Sequence, residues 1–557
     1  PLNQDWRAGQ WDITGRIQDL QLAALYRYFP TTEIAESVVD WLKQGLITGQ
    51  VSEGAIRLKG NLHDFPYQDH ETGVFFVGGA FQGAEIDYYP TTALEKGWPK
   101  VENAAGFVAV RGAGLWVNQA TAQLSPMPTE PVQAHDIQVH INNFYAPQLQ
   151  IYAQTQGPAQ SYLGLMTTTD LGEWLGHSFD QSQATGQWQV PLALRVNLDN
   201  TEDVAVDGAI HFQNNTLNIF PQLPPIEQLS GTLVFSESGA QAQQIKGQWF
   251  DGPLLLQQQI GAANQFLLLH GRAQARALNQ AFHSILPAEA LQGELVYQVE
   301  LGLDKHKRFQ LKAQSHLQGL AVHLPAPLAK TKAQSRALRV EWKPIQAQQD
   351  QLQIHLGDDV VAVFESSTST PQGFVRGAVG WNQGQPALPA TGLVLDLASA
   401  ELDIEPWLNW LGPLWQQAGT SSFQWPTLER LRLKADKVTG FAQQWQHLTF
   451  TLQAQPKSQW RADMSASQVA GTVWWTPART STGSALVQAD LQRLYWQPAP
   501  TTQEETPTKE FDLRLPDMQL HVSDLRWGQR QLGKLKAQGR ASAQDATRWQ
   551  ITDLSLT

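Results

Sequence analysis

Cysteine is absent from all 557 residues, which excludes a disulfide framework and any Cys/His metal set and fits an oxidising compartment in which no staple is needed. Charge is scarce as well. Asp, Glu, Lys and Arg make up 16% of the chain, against roughly 25% in an ordinary soluble domain, so the surface is polar but weakly charged, with Gln in heavy use. The net charge is −12 and no Lys/Arg cluster exceeds a few residues, which excludes a surface that tracks nucleic-acid phosphates. Long apolar runs are missing too. The longest near the start, Leu20 to Phe29, is interrupted by Gln21 and Arg27 and falls far short of the roughly 20 residues a membrane span needs.

Catalytic and ligand constellations are also missing. The fourteen histidines make no His-x-x-x-His pair, and His135 and His140, five apart on an expected strand, are predicted to face opposite ways. Asp358-Asp359 reads as a turn and not as an acid/base pair, because adjacent strand residues point apart. Gly78-Gly79 and Gly112-Ala113-Gly114 lack a following helix and so are not a phosphate loop. No Gly-x-Ser-x-Gly elbow is present. The expectation is a protein that is not an enzyme, with no metal and no cofactor.

What the chain does have is a two-residue hydrophobic rhythm from near Ala55 to Leu556. It is plain at Ile137, Val139, Ile141, at Leu192, Leu194, Val196 and at Leu338, Val340, Trp342. It returns at Leu393, Leu395, Leu397, at Leu448, Phe450, Leu452 and at Met518, Leu520, Val522. Strict alternation means strands with one apolar and one polar face. By itself this rhythm leaves two architectures open: several closed sandwiches, the commoner home of such strands, or one very long sheet.

Four segments switch to a period near 3.6. Thr31 to Leu46 has Thr32 as N-cap and apolar Ile34, Val38, Trp41, Leu42 and Leu46, which predicts an amphipathic helix. Further helices are predicted over Thr169 to His177, Ala277 to Leu286 and Glu405 to Trp415, the last with Pro406 in its first turn. Linkers are short, apart from a PAPTTQEETPTK stretch at Pro498 to Lys509 that reads as a flexible excursion. No polar linker recurs at intervals of about 100 residues, as a string of sandwiches would require. Twenty-one tryptophans leave a sugar-stacking surface open, although packing is the commoner use of Trp in alternating strands.

Several segments carry a family resemblance. WLKQGLITGQVSEGAIRLKGNLHDFPY, from Trp41 to Tyr67, resembles the helix, strand and dFPf turn of the YhdP family of AsmA-like proteins. The likeness continues at Gly73-Val74-Phe75 and Trp98-Pro99. LQGLAVHLPAPL at Leu317 to Leu328 and LPDMQLHVSDLRWGQRQLG at Leu515 to Gly533 resemble later family runs. The chain starts at Pro1 and stops at Thr557 directly after an alternating segment, so it reads as a piece of a longer protein with an anchor expected upstream.

The resemblance implies a mostly β fold: a long, continuous, twisted antiparallel sheet curled into a U-shaped hydrophobic groove, with a few short amphipathic helices. It implies a periplasmic protein, anchored in the inner membrane in its full-length form, that carries phospholipids to the outer membrane, with envelope proteins as further partners. On that scheme residues 1–30 are leading strands and 31–168, 169–276, 277–403 and 404–557 are successive units of one groove. About 30 strands at about 4.8 Å spacing would give a length on the order of 140 Å. The expected lipid lining is Ile56, Leu58, Ile137, Val139, Ile141, Leu192, Leu194 and Val196, then Leu338, Val340, Leu393, Leu395, Leu448, Phe450, Met518 and Leu520. The helix carrying Ile34, Val38, Trp41 and Leu42 is a candidate lid, or else a cap over an edge strand. Two other classes stand beside this one: an envelope scaffold of closed sandwiches that binds protein partners, and a glycan-binding β-module.

Overall fold

The computed structural model describes residues 9–28, 36–67, 71–90, 98–125, 130–169, 179–219, 223–236, 239–260, 265–283, 285–287, 289–304, 308–346, 349–367, 373–417, 424–478, 484–497, 515–541 and 548–557. Strands dominate, and they belong to an open sheet of 30 strands that does not close on itself. Four α-helices are described: α1 (Glu36–Gly45), α2 (Ala159–Thr168), α3 (Ala275–Ala281) and α4 (Ile404–Gln417). The chain divides into two compact units, Pro1–Ala273 with Gln298–Phe309, and Gln274–Tyr297 with Gln310–Thr557.

The first unit is an antiparallel meander. Gln10–Gln21, Leu46–Asn61, Gly73–Ile86, Val101–Arg111, Gly114–Leu124, Val132–Ile141 and Gln148–Pro158 each pair with the next. Gln148–Pro158 then pairs with Gln187–Asn197, and the meander runs on through Asn200–Asn218, Ile226–Ser236, Gly239–Trp249, Gly252–Ile260 and Gln265–Gln274.

A stripe of β-bulges crosses this unit. Asn103, Gln119, Asp136, Asn214, Gln228 and Gln244 all have φ between 50 and 57°, and the pairing register slips by a residue beside them. A bulge bends its strand and raises the local twist, so neighbouring bulges bend the sheet along one line. The apolar face along that line is crowded, and small residues occupy it: Ala84, Ala104, Ala120 and Ala122 are at most 7% exposed. The bulges also flip side-chain parity. His135 and His140 lie on either side of the Asp136 bulge, opposite Gln154 and Gln150, four residues apart on one strand; the expectation that they face opposite ways is therefore corrected, since both point to the polar face.

One buried polar residue locks the stripe. Asn215 Nδ2 donates to the carbonyls of Thr185 (3.2 Å) and Gln187 (3.1 Å), and its Oδ1 accepts the Gln213 N–H at 2.8 Å. Asn215→Ala would strand these buried groups, and a loss of about 2 kcal/mol is expected, read as a lower denaturant midpoint; an unchanged midpoint would mean that the bulge holds without this residue.

The second unit is mixed. Phe309–Ser315, Leu338–Gln346, Gln349–Leu356, Val360–Ser367 and Arg376–Trp381 run antiparallel in succession. Arg376–Trp381 and Gly392–Asp403 are parallel, as are Gly392–Asp403 and Leu428–Gly440. Antiparallel pairing resumes through Gln443–Gln455, Gln459–Ser465, Val469–Thr476 and Leu486–Trp496. After a third parallel pair, with Asp517–Trp527, the unit ends on Arg530–Ala541 and Trp549–Leu556. The expectation of an antiparallel sheet thus holds except at three pairs, where the connection returns along the strand instead of turning back at its end.

The helices differ in part from the sequence reading. α4 covers the expected span, with Asp403 Oδ1 accepting the Glu405 N–H at its start (3.2 Å). α3 begins two residues earlier and stops at Ala281. Thr169 is a bend, and residues 170–177 of the second expected helix lie outside the described residues. The 31–35 segment does too, so α1 is described from Glu36. α2 was not foreseen, because AQSYLGLMTT has no polar stripe and no capping side chain.

α2 packs on the apolar face beside the bulges, burying Ala159, Tyr162 and Leu163 against Trp188, Val190 and Phe212. Tyr162 shares a 2.8 Å hydrogen bond with Thr155. Burial pushes its hydroxyl up to about 12, with the Thr155 bond pulling the other way. The folded chain thus keeps a proton that the unfolded chain releases near pH 10. Stability is present below that pH and falls as pH rises from about 10 towards 12, so melting temperature should drop less between about pH 8 and about pH 11 in Tyr162→Phe than in the unsubstituted chain.

Candidate functional site

Residues opposite one another on paired strands share a face, so the registers show directly which apolar side chains line up. In the first unit one row runs Ile56, Val77, Val110, Leu115 and continues Ile141, Leu149, Val196, Val204. The neighbouring row runs Val108, Val117, Val139, Ile151, Leu194, Val206. Leu58 stands between Ile13 and Phe75, Ile137 opposite Ala120 and Leu192 opposite Ala153. The eight expected lining residues of this unit therefore stand on a single face.

The second unit repeats the pattern over more strands. One row runs Ala313, Val340, Ile354, Ala362, Val379, Leu395, Leu431 and then Leu452, Ala462, Val473, Ala489, Leu520, Ala537, Leu554. At about 4.8 Å per strand this lane is on the order of 60 Å long. A parallel lane carries Leu338, Leu356, Val360, Trp381, Leu397 and Leu433. It goes on through Phe450, Met464, Gly471, Leu491, Val522 and Leu535. Leu393, Leu448 and Met518 fall in flanking rows, opposite Gly377, Ala435 and Val487.

The other face is largely polar, although Val363, Ala378 and Val394 form a buried apolar row on it. Between the two long lanes, on the opposite side, lie Arg339, His355, Asp396, Arg432, Thr451 and Asp463, and then Thr472, Asp490, His521 and Lys536. These groups bond to one another across strands, as in Thr472 Oγ1 to Asp463 (2.7 Å) and His521 Nδ1 to Asp490 (3.0 Å). Asp358 and Asp359 lie in a turn, where Asp359 takes both bonds of a fork from Arg336 Nη2 (2.9 and 2.7 Å). Among the described residues no three His, Asp or Glu side chains converge as a metal site.

Burial distinguishes the apolar face from a closed core. Of the sixteen expected lining residues, Ile141 alone is buried, at 9% exposed, and the other fifteen are half-buried. Inward-facing residues of a sandwich would be sealed by the facing sheet. Here fifteen keep part of their surface exposed, while Ile137, Leu393, Leu448, Phe450 and Leu520 also pack against buried clusters. Fully buried side chains stand elsewhere: Ile245 and Val132 in the first unit, Val438 and Val522 in the second, all at most 1% exposed. Sequence reasoning missed Val77, Val110, Leu149, Ile151, Val379 and Val473. Leu149 and Ile151 alternate visibly; the others sit among Gly and Ala, which dilute the rhythm.

α1 buries Val39 and Leu42, while Val38 (47% exposed) and Trp41 (38%) face outward; Ile34 lies outside the described residues. Trp41 Nε1 donates to the Tyr88 carbonyl at 3.2 Å, and Asp87 N–H to the Gly45 carbonyl at 2.8 Å. These bonds fix the helix to the end of the Leu46–Asn61 and Gly73–Ile86 strands. The Leu317 to Leu328 run is held from within by the buried Lys330, whose Nζ donates to the carbonyls of Leu317 (2.6 Å), Leu320 and Thr331; burial lowers its pKa.

A family model described as YhdP protein matches residues 2–557. Among curated proteins, the chain is similar to the intermembrane phospholipid transporter YhdP of Escherichia coli (strain K12), with 26% identity over 327 residues. That alignment covers 57% of this chain and 24% of the relative, so the chain spans about a quarter of the relative's length. No solved structure matches.

Proposed function

This chain belongs to the YhdP family, and from that premise, together with its half-exposed apolar lanes, we propose that it carries phospholipid with the acyl chains laid along those lanes. The observation that bears the reading is an apolar row crossing strand after strand while staying half-buried. Exposing two acyl chains of about 16 carbons to water costs roughly 25 kcal/mol at about 0.8 kcal/mol per CH₂. Carriage therefore needs an apolar surface without gaps, and the rows supply one while backbone polar groups stay satisfied inside the sheet. No group reacts on this scheme; the protein acts as a conduit and not as an enzyme.

Phospholipid would move across the periplasm to the outer membrane, in a protein held at the inner membrane by a segment outside this sequence. Ile56, Ile141, Val196, Val340, Leu395 and Leu520 would touch the chains directly, and α1 would cover the end of the lane at the first strands. The scaffold reading needs a filled interior, which fifteen half-buried lining residues do not favour. Mass spectrometry of lipids extracted from the purified chain, beside an unrelated β-protein taken through the same detergent, tests the proposal. Several phospholipids per chain are expected. No enrichment over the control, in folded protein, would leave the scaffold reading in its place.

A further inference from the structure

The parallel crossover after Gly392–Asp403 brings its described ends onto the apolar face of the second unit, and each end builds an aromatic cluster there. At one end Trp407 of α4 stacks on Trp381 (6.0 Å) and on Trp410 (5.5 Å), and its Nε1 donates to the Ala326 carbonyl at 3.1 Å. At the other end Trp425 meets Phe364 (5.6 Å) and Phe374 (5.8 Å), and the Phe374 N–H bonds to the Gln424 carbonyl at 3.0 Å. The two clusters stand four residues apart on the same strands: Phe364 lies opposite Gly377, and Trp381 follows Gly377 along its strand. At about 3.3 Å per residue that separation is about 13 Å.

Between the clusters runs the lane carrying Ala362, Val379 and Leu395. Ala362 forms its floor, 8% exposed beside Phe364 and Phe374, with Val379 packed against the same cluster. Val379 and Leu395 stay half-buried while Trp381 and Phe364, beside them, fall to 6 and 7% exposed. Leu395 packs in neither buried cluster. Carbon chains pack at about 4 Å, well under that backbone separation.

We propose that Ala362, Val379 and Leu395, walled by Trp381 with Trp407 and by Phe364 with Trp425, form a seat for a single lipid's acyl chains, narrower than the lane beyond it. The inference rests on the lipid-carrying reading and adds that every chain passing along this unit goes through that seat. Elsewhere on the lane, around Leu520, no aromatic pair stands on both sides among the described residues, and a lipid can pass an obstacle.

The test is transfer of a fluorescent phospholipid between vesicles of phosphatidylethanolamine and phosphatidylglycerol by the 557-residue chain and by Leu395→Trp and Leu520→Trp, each shown folded by circular dichroism. Overfilling the seat should slow transfer roughly tenfold, whereas Leu520→Trp, which also meets the acyl chains but has no aromatic wall on both sides, should slow it by only about threefold. Equal loss in both variants, or none in Leu395→Trp, would overturn the seat and leave lipid carriage standing. No transfer by the unsubstituted chain would overturn both.

Discussion

Leu395→Asp and Val196→Asp are expected to abolish lipid carriage and leave the chain folded. Leu395 stands between Val379 and Leu431 in its row, and Val196 between Leu149 and Val204. Both are half-buried, so in the lipid-free chain a carboxylate at either position reaches water, and the stability cost should stay near 1 kcal/mol. With an acyl chain on the lane that water is displaced. A charge left against hydrocarbon then costs several kcal/mol, and about 3 kcal/mol is roughly a hundredfold in occupancy. Lipid per chain by mass spectrometry and the melting curve read the two effects separately. Loss of folding would mean that these side chains form a closed core; unchanged lipid content would mean that the lane is not the path.

Val522→Asp should do the reverse. Val522 is 0% exposed and lies between Leu491 and Leu535 where the register of its strand slips, two residues beyond the half-buried Leu520. A carboxylate there has neither water nor a cation, and a loss above about 4 kcal/mol is expected. Unit two should lose its protease resistance, and lipid would be lost together with the fold. Leu520→Asp, on the same strand and face, should retain the fold and lose only lipid. If the two variants behave alike, the division between an open lane and a sealed bend is wrong. The pair tests a claim that neither substitution tests alone.

Part of this was legible in the residues. Leu192, Leu194 and Val196 could be assigned to one face because side chains alternate every residue in any strand, whatever the strand pairs with. α4 was legible from Pro406 and its tryptophans, and the Asp358-Asp359 turn from the parity of adjacent residues. α2 was not, since a helix packed on most of its sides shows no stripe. The bulges were not either. Gln119, Gln228 and Gln244 carry no signature for positive φ, yet each moves the rest of its strand to the opposite parity, as His135 and His140 show.

The sequence by itself determined that this protein is made of two-faced strands, because period-two alternation depends on nothing beyond neighbouring residues. It could not determine what covers the apolar face, since sealed sandwich and open sheet demand the same alternation of each strand. The tertiary structure decided that. Register carries Val340 and Leu395 into one row with Leu520, and bulges set Ala104 and Ala120 along one line of the first unit. One parallel crossover sets Trp407 and Trp425 on either side of the lane. Each depends on pairing between residues distant in the chain, where the free energy of the whole sheet, and not local preference, selects the partner.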